Sequence, residues 1–125
     1  MVIGYEFDAH EDLIRAPAGL RGLGACSAVV TYSQGCVAEL ARDGEVRTVN
    51  ARAPRVEAVS TVGSGDALVG GYAARLLEGD APVECLRFGL ACAAANALGY
   101  GAGVLDPEEA RQLVDAVEIE EVAAP

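Results

Sequence analysis

Within Ser60-Thr61-Val62-Gly63-Ser64-Gly65-Asp66-Ala67, two glycines bracket one small residue and a carboxylate follows at once. Glycine has no Cβ, so the backbone there can turn sharply and come close to a ligand. A helix starting at such a turn presents unpaired N–H groups, which form an anion site. Asp66 would stand in its first turn, beside that anion. Amides that cradle an anion, with a carboxylate base next to them, are what phosphoryl transfer to a hydroxyl needs. The tetrapeptide alone also has an ordinary reading, because Gly-x-Gly turns are common and a first-turn acid is usual helix chemistry. Two other phosphate loops fail on spacing. The G-x-G-x-x-G fingerprint would need glycine at position 68, which is Leu68, and no Lys-Ser/Thr pair follows the glycines as in a Walker loop.

The element that must carry this turn is a helix from about Gly65 to Leu77, stopped by Gly79. Its small residues Ala67, Gly70, Gly71 and Ala74 permit close packing. A second helix, from about Pro82 to Leu98, is apolar on nearly all sides, which marks it as buried. Ahead of them, Ser27 to Tyr32 is a β-branched run that reads as a short buried strand. Ser33-Gln34-Gly35 turns the chain. Cys36 to Ala41 and Glu45 to Ala51 flank Arg42-Asp43-Gly44, a hairpin signal because Asp-Gly accepts the positive φ of a tight turn. Val46, Thr48 and Asn50 would face one way, Arg47 and Val49 the other.

A first helix is expected from about Glu11 to Leu23, with Leu13, Ile14, Leu20 and Leu23 on one face. Pro17 sits mid-pattern and should break or kink it, at a cost of ~3 kcal/mol. Pro54 to Ser60 reads as a connector and 99–103 as a loop. Asp106-Pro107-Glu108-Glu109 is a helix start, with an N-cap aspartate, proline at the first position and acids in the first turn. Ala110, Leu113, Val114 and Val117 then recur at helical spacing. Glu118, Glu120 and Glu121 read as a solvated strand or tail. Strands first and packed helices afterwards suggest an α/β layered domain.

Composition narrows the functions. The 125 residues make one domain or part of one, and 9 basic against 19 acidic residues give a net charge of −10. Nucleic acid and anionic membranes are therefore excluded as partners. A polyphosphate would need a local positive field from amides and metal. With 52% apolar residues and a mean hydropathy of +0.27 the chain is not disordered, and part of its apolar surface reads as built to be covered. No stretch approaches the ~20 apolar residues of a membrane span. Met1 to Glu6 has no signal-peptide pattern, which makes the cytoplasm the default location. Cys26, Cys36, Cys85 and Cys92 show no C-x-x-C spacing, and His10, the one histidine, is distant in sequence. Zinc is excluded on that basis; the cysteines read as buried free thiols and His10 as a surface residue.

The run from Val59 to Tyr72 resembles the C-terminal signature of the PfkB (ribokinase-like) sugar kinases, Asp-Thr-x-Gly-Ala-Gly-Asp followed by small and apolar residues. Gly89-Leu90-Ala91-Cys92-Ala93-Ala94-Ala95-Asn96-Ala97-Leu98 and Gly101-Ala102-Gly103 are similar to its 1-phosphofructokinase and tagatose-6-phosphate kinase branch. The resemblance runs from about Gly4 to Val122. It implies an α/β fold, the C-terminal part of a ribokinase-like three-layer α/β/α sandwich, with residues 1–125 as the nucleotide-binding portion. The implied reaction is ATP-dependent phosphoryl transfer, with Mg2+, to a sugar phosphate. Asp66 would be the general base, kept ionised by its place at the helix N-terminus. Gly63, Ser64 and Gly65 would supply the anion hole. Thr61, Ser33, Gly35, Asn96, Gly101 and Gly103 would lie along the nucleotide, with Asn96 alternatively a satisfied buried amide.

Three departures from the family pattern stand out. Ser64 replaces its alanine, Ser60 replaces its aspartate, and the loop around Ser33 is about one residue short. The family's sugar pocket, lid strands and magnesium-associated Asn-x-x-Glu stretch belong to an N-terminal half with no counterpart here. That points to a truncated reading frame, inactive alone and open to self-association through an exposed sheet edge and exposed apolar surface. The alternatives are a non-catalytic remnant or interaction module with a kinase-like fold, and a ribokinase-like kinase of another sugar or a nucleoside.

Overall fold

Asp43 and Gly44 both take positive φ, 53° and 82°, and close a two-residue hairpin between Arg42 and Glu45. Positive φ at both central residues gives a turn whose twist matches that of the strands. This hairpin is the centre of the sheet in the computed structural model, which describes residues 10–122. The elements run α1 (His10–Gly22), β1 (Ala28–Tyr32), β2 (Gly35–Arg42), β3 (Glu45–Arg52), α2 (Ser64–Leu77), α3 (Pro82–Ala97) and α4 (Pro107–Leu113). A 3-10 turn over Val114–Ala116 and β4 (Glu118–Glu121) complete them. The four strands lie in the order β1-β2-β3-β4 with every pair antiparallel.

β2 is buried on both faces from Gly35 to Leu40. On one face Cys36, Ala38 and Leu40 join Val49 and Ala51 of β3, and α2 and α3 cover them with Leu68, Leu86, Leu90 and Ala91. On the other, Val37 and Glu39 lie beside Asn50 and Thr48, and Arg21 of α1 reaches Glu39 at 3.6 Å. The sheet thus lies between α1 and the α2–α3 pair, a three-layer α/β/α arrangement. The α2–α3 contact is close because Gly71 and Gly89 meet the other helix. A Cβ on Gly71 would lie 2.8 Å from Cys92 Sγ, and one on Gly89 2.7 Å from Leu68 O. Gly70 and Ala74, expected at the same contact, are instead exposed. The Arg75 guanidinium stacks over the Phe88 ring at 4.3 Å. α2 ends as expected at Gly79 (φ 87°), where the Asp80 N–H reaches back to Arg75 O at 3.1 Å.

The sequence expectations fail in five further places. α1 runs through Pro17 without a break; Pro17 and Ala16 are buried, and that packing offsets the one missing N–H. Leu23, at 63% exposure, has left the shared face because the helix ends at Gly22. Among the described residues β1 is an end strand, not a buried one, since only β2 flanks it there, and of its residues Ala28 alone is buried. Cys26 is exposed, whereas Cys36, Cys85 and Cys92 are buried free thiols as expected. The C-terminal helix begins where expected, with Asp106 Oδ1 accepting from the Glu108 N–H at 2.9 Å, but gives way to a 3-10 turn before Val117. The reading of the His10 side chain lies outside the described residues, as do those of the first nine. No helix among the described residues is long and apolar enough to cross a membrane.

Candidate phosphate-binding turn and groove

The connector from β3 to α2 is fixed at three points. Ala53 N–H donates to Gln34 O at 2.9 Å, and the Val59 and Ser60 N–H groups both donate to Ala97 O, at 2.7 and 3.2 Å. The chain then turns at Gly63, which has φ 84° and ψ 0° and caps α2 without a side-chain hydrogen bond. Glycine is required there twice over. The positive φ disfavours a side chain, and a Cβ would lie 2.8 Å from Ala102 Cβ and 2.9 Å from Gly103 N. Gly65 is different: it is helical, exposed, and has open space where a Cβ would point. The sterically demanding glycine of the pair is therefore Gly63, and the room for a ligand is at Gly65.

The Ser64 N–H is taken by Thr61 O at 3.1 Å, and the Ala67 N–H by Gly63 O at 2.9 Å. The N–H groups of Gly63, Gly65 and Asp66 have no acceptor among the described residues. Of the amides expected to form the anion hole, residues 63–65, that of Ser64 is occupied and those of Gly63 and Gly65 are open, with the Asp66 N–H open beside them. The Asp66 side chain is exposed in the first turn of α2, as expected.

Ser64 and Asn96 tie this turn to α3. Ser64 Oγ donates to Ala93 O at 3.2 Å and accepts from Asn96 Nδ2 at 3.2 Å. Asn96 has 0% exposure, and its Nδ2 also donates to Val62 O at 2.9 Å. Its Oδ1 accepts from the Gly103 N–H at 2.7 Å. Every polar atom of Asn96 is spent inside the protein, so it holds the 61–64 turn against the 99–103 loop. The structure favours the satisfied buried amide over a nucleotide contact.

Beside the turn lies an open groove of about 970 Å³. Ser33, Gln34 and Gly35 form one end, Thr61, Ser64 and Gly65 the other, over an apolar floor that includes Leu68 and Leu90. Five of the expected residues therefore meet: Ser33, Gly35, Thr61, Ser64 and Gly65. Gly35 sits in β2, not in the preceding loop, and is packed against the Ala51 carbonyl. Asn96, Gly101 and Gly103 do not line the groove. Gly101 packs against Val104, and Gly103 (φ 72°) spends its N–H on Asn96.

Two lining residues escaped the sequence reading, Arg52 and Arg55. Their spacing just ahead of the Gly-x-Gly turn was the available signal. The three buried thiols offer no nucleophile. Burial pushes Cys36 up to about 12 and raises Cys85 and Cys92 as well. Among the described residues no group of three His, Cys, Asp or Glu side chains could hold a metal ion. The described residues do not fit a protein-held magnesium.

A model of the pfkB family carbohydrate kinases matches residues 2–109. Among solved structures, a candidate phosphofructokinase from Staphylococcus aureus is similar with a TM-score of 0.78 and 23% identity, over 95% of this chain and 37% of that one. Phosphofructokinase-2 from Escherichia coli, in complex with potassium, is similar with a TM-score of 0.74 and 26% identity, over 90% of this chain and 36% of that one. Ribokinase from Thermotoga maritima is similar with a TM-score of 0.67 and 27% identity, over 82% of this chain and 34% of that one. The chain spans little more than a third of the length of each.

Proposed function

Because the chain belongs to the pfkB family of carbohydrate kinases, we propose that it is the C-terminal, nucleotide-binding portion of an ATP-dependent sugar-phosphate kinase of the 1-phosphofructokinase type. The observation that carries the reading is the Gly63 turn. It leaves the amides of Gly65 and Asp66 free in the first turn of α2, beside a groove of about 970 Å³. Preorganised N–H donors of this kind stabilise the charge of a transferring phosphoryl group. Asp66, exposed next to them, is the general base for the acceptor hydroxyl. Thr61, Ser33 and Gly35 border the nucleotide, while Asn96, Gly101 and Gly103 shape the loop behind the turn. The Ala95-Asn96-Ala97-Leu98 and Gly101-Ala102-Gly103 segments support the sugar-phosphate branch.

Phosphoryl transfer depends on holding two substrates in line, and the family's sugar-pocket, lid and magnesium-associated stretches have no counterpart in this sequence. On this reading the 125-residue chain alone binds ATP weakly, with a dissociation constant of about 1 mM, and gives no turnover. The edge of β1 that no described strand flanks favours self-association. Amide shifts on ATP titration test the site: perturbation centred on Gly63–Ala67 is expected, and its absence would remove the nucleotide reading. A coupled ADP-release assay with fructose 1-phosphate, fructose 6-phosphate and tagatose 6-phosphate tests the second part. Turnover near 1 s⁻¹, the low end of kinase rates, would overturn it.

A further inference from the structure

The chain has no lysine; all nine of its basic residues are arginines. Six of them stand within 4 Å of a carboxylate: Arg21 with Glu39, Arg42 with Asp43, Arg47 with Glu121, Arg75 with Glu78, Arg87 with Glu84 and Arg111 with Glu108. In a protein of net charge −10 that is the expected fate of a cation. Arg15, Arg52 and Arg55 have no such partner among the described residues, and two of these three line the same groove.

Arg52 is the last residue of β3, and Arg55 follows in the connector that the Ala53 and Val59 hydrogen bonds hold in place. Both are exposed. One carboxylate, Glu118, lines the groove with them. It is the register partner of Arg52 on β4, yet the two do not form an ion pair. The groove wall therefore carries two positive charges against one negative.

We propose that Arg52 and Arg55 form the cationic wall of the groove and bind the phosphate groups of its ligand. This deepens the nucleotide reading and rests on it. A polyphosphate approaching a strongly acidic chain meets repulsion, which salt screens beyond about 10 Å at 0.1 M. What decides binding is then the charge inside the groove. Free amides at a helix N-terminus supply only about half a unit charge. Guanidinium groups supply full charges that never deprotonate, and their planar forks match phosphate oxygens in pairs. The local field first assigned to amides and metal is thus met by side chains of this chain. ATP and a sugar phosphate share the recognised group, a phosphate with more than one negative charge.

The test is a set of amide-shift titrations on the chain and on two variants. The ligands are ATP, adenosine, inorganic tripolyphosphate and fructose 1-phosphate. With Arg52→Gln and Arg55→Gln combined, the dissociation constant for ATP and tripolyphosphate should rise about tenfold, while adenosine is unaffected. Glu118→Gln should act oppositely and tighten both by about two- to threefold. All three side chains are exposed, so the fold is not at stake. ATP binding that is equal in wild type and the arginine variant would overturn the proposal and leave the nucleotide reading intact. Arginine-dependent tripolyphosphate binding without any ATP response at Gly65 would do the reverse. Arginine-dependent binding of fructose 1-phosphate in place of ATP would uphold the arginines and identify the sugar phosphate as their ligand.

Discussion

Asn96→Ala should be the most damaging single truncation at this site. The side chain lies at 0% exposure and makes three hydrogen bonds, to Val62 O, Ser64 Oγ and the Gly103 N–H, at 2.9, 3.2 and 2.7 Å. Alanine removes all three. Ser64 Oγ keeps its bond to Ala93 O, so the groups orphaned outright are one carbonyl and one N–H. An unsatisfied buried polar group costs about 1–3 kcal/mol. Val62 and Gly103 are exposed residues, so water can reach them and the lower half of that range applies. Two such groups give about 2–4 kcal/mol before any packing lost on truncation, well above the ~1 kcal/mol of an average substitution. With a urea m-value of about 1.5 kcal/mol/M, the unfolding midpoint should fall by about 1.3–2.7 M. Asn96→Asp separates shape from chemistry. It keeps the size and can still accept from Gly103, but it turns a bare oxygen toward Val62 O. It should therefore be no better than alanine at neutral pH. Urea titrations followed by circular dichroism measure both, and native-state hydrogen exchange at the Gly103 amide reports the loop directly. A midpoint shift of less than about 0.3 M for either variant would mean the amide is not the clamp that its geometry implies.

Gly63→Ala should destabilise by about 1–2 kcal/mol, through the strained φ and the contact with Ala102, whereas Gly65→Ala should be neutral or stabilising by up to about 1 kcal/mol; thermal melts of the pair decide whether the two glycines differ as described. In a full-length kinase carrying this segment, Asp66→Asn should lower kcat by at least ~10²-fold with ATP KM changed only a few-fold, and near-normal kcat would remove Asp66 from the general-base role. The Glu121 carboxyl is held below its ordinary 4.5 by its hydrogen bond to Arg47 and then by that residue's charge. A depressed folded value stabilises above the unfolded one and is lost as pH falls through it, so the stability difference between wild type and Arg47→Gln should be present at about pH 6 and fade as pH falls below the ordinary carboxylate value. A difference that stays constant or grows on acidification would refute that assignment.

The parts of the fold that were legible are those written in local chemistry. Asp43-Gly44 specifies its turn because both residues accept positive φ, and Asp106-Pro107 specifies a helix start because a side-chain acceptor precedes a residue with no N–H to lose. Pro17 shows where local rules fail. Its cost is one backbone bond and a steric clash, both confined to α1, and burial against the sheet face outweighs them. β1 was misjudged for the complementary reason. A β-branched run announces a strand, but burial depends on what flanks it, and that is decided by partners distant in sequence.

The site divides along the same line. Gly63, Ser64, Gly65 and Asp66 were visible as a cluster, but the two glycines are equivalent in a pattern and opposite in space. One faces Ala102 across a forbidden Cβ position, and the other faces open solvent. That difference arises only when the 99–103 loop arrives beside the turn, and Asn96 brings it there. Arg52 and Arg55 were overlooked because charge was counted for the whole chain, where nine cations are outweighed by nineteen acids. Folding redistributes that balance. It spends six arginines on carboxylates and leaves two on the wall of a groove whose lining contains a single acid. Net charge governs encounter at long range, but at contact distance the unpaired groups govern, and they are found only by asking which pairs the fold has already made.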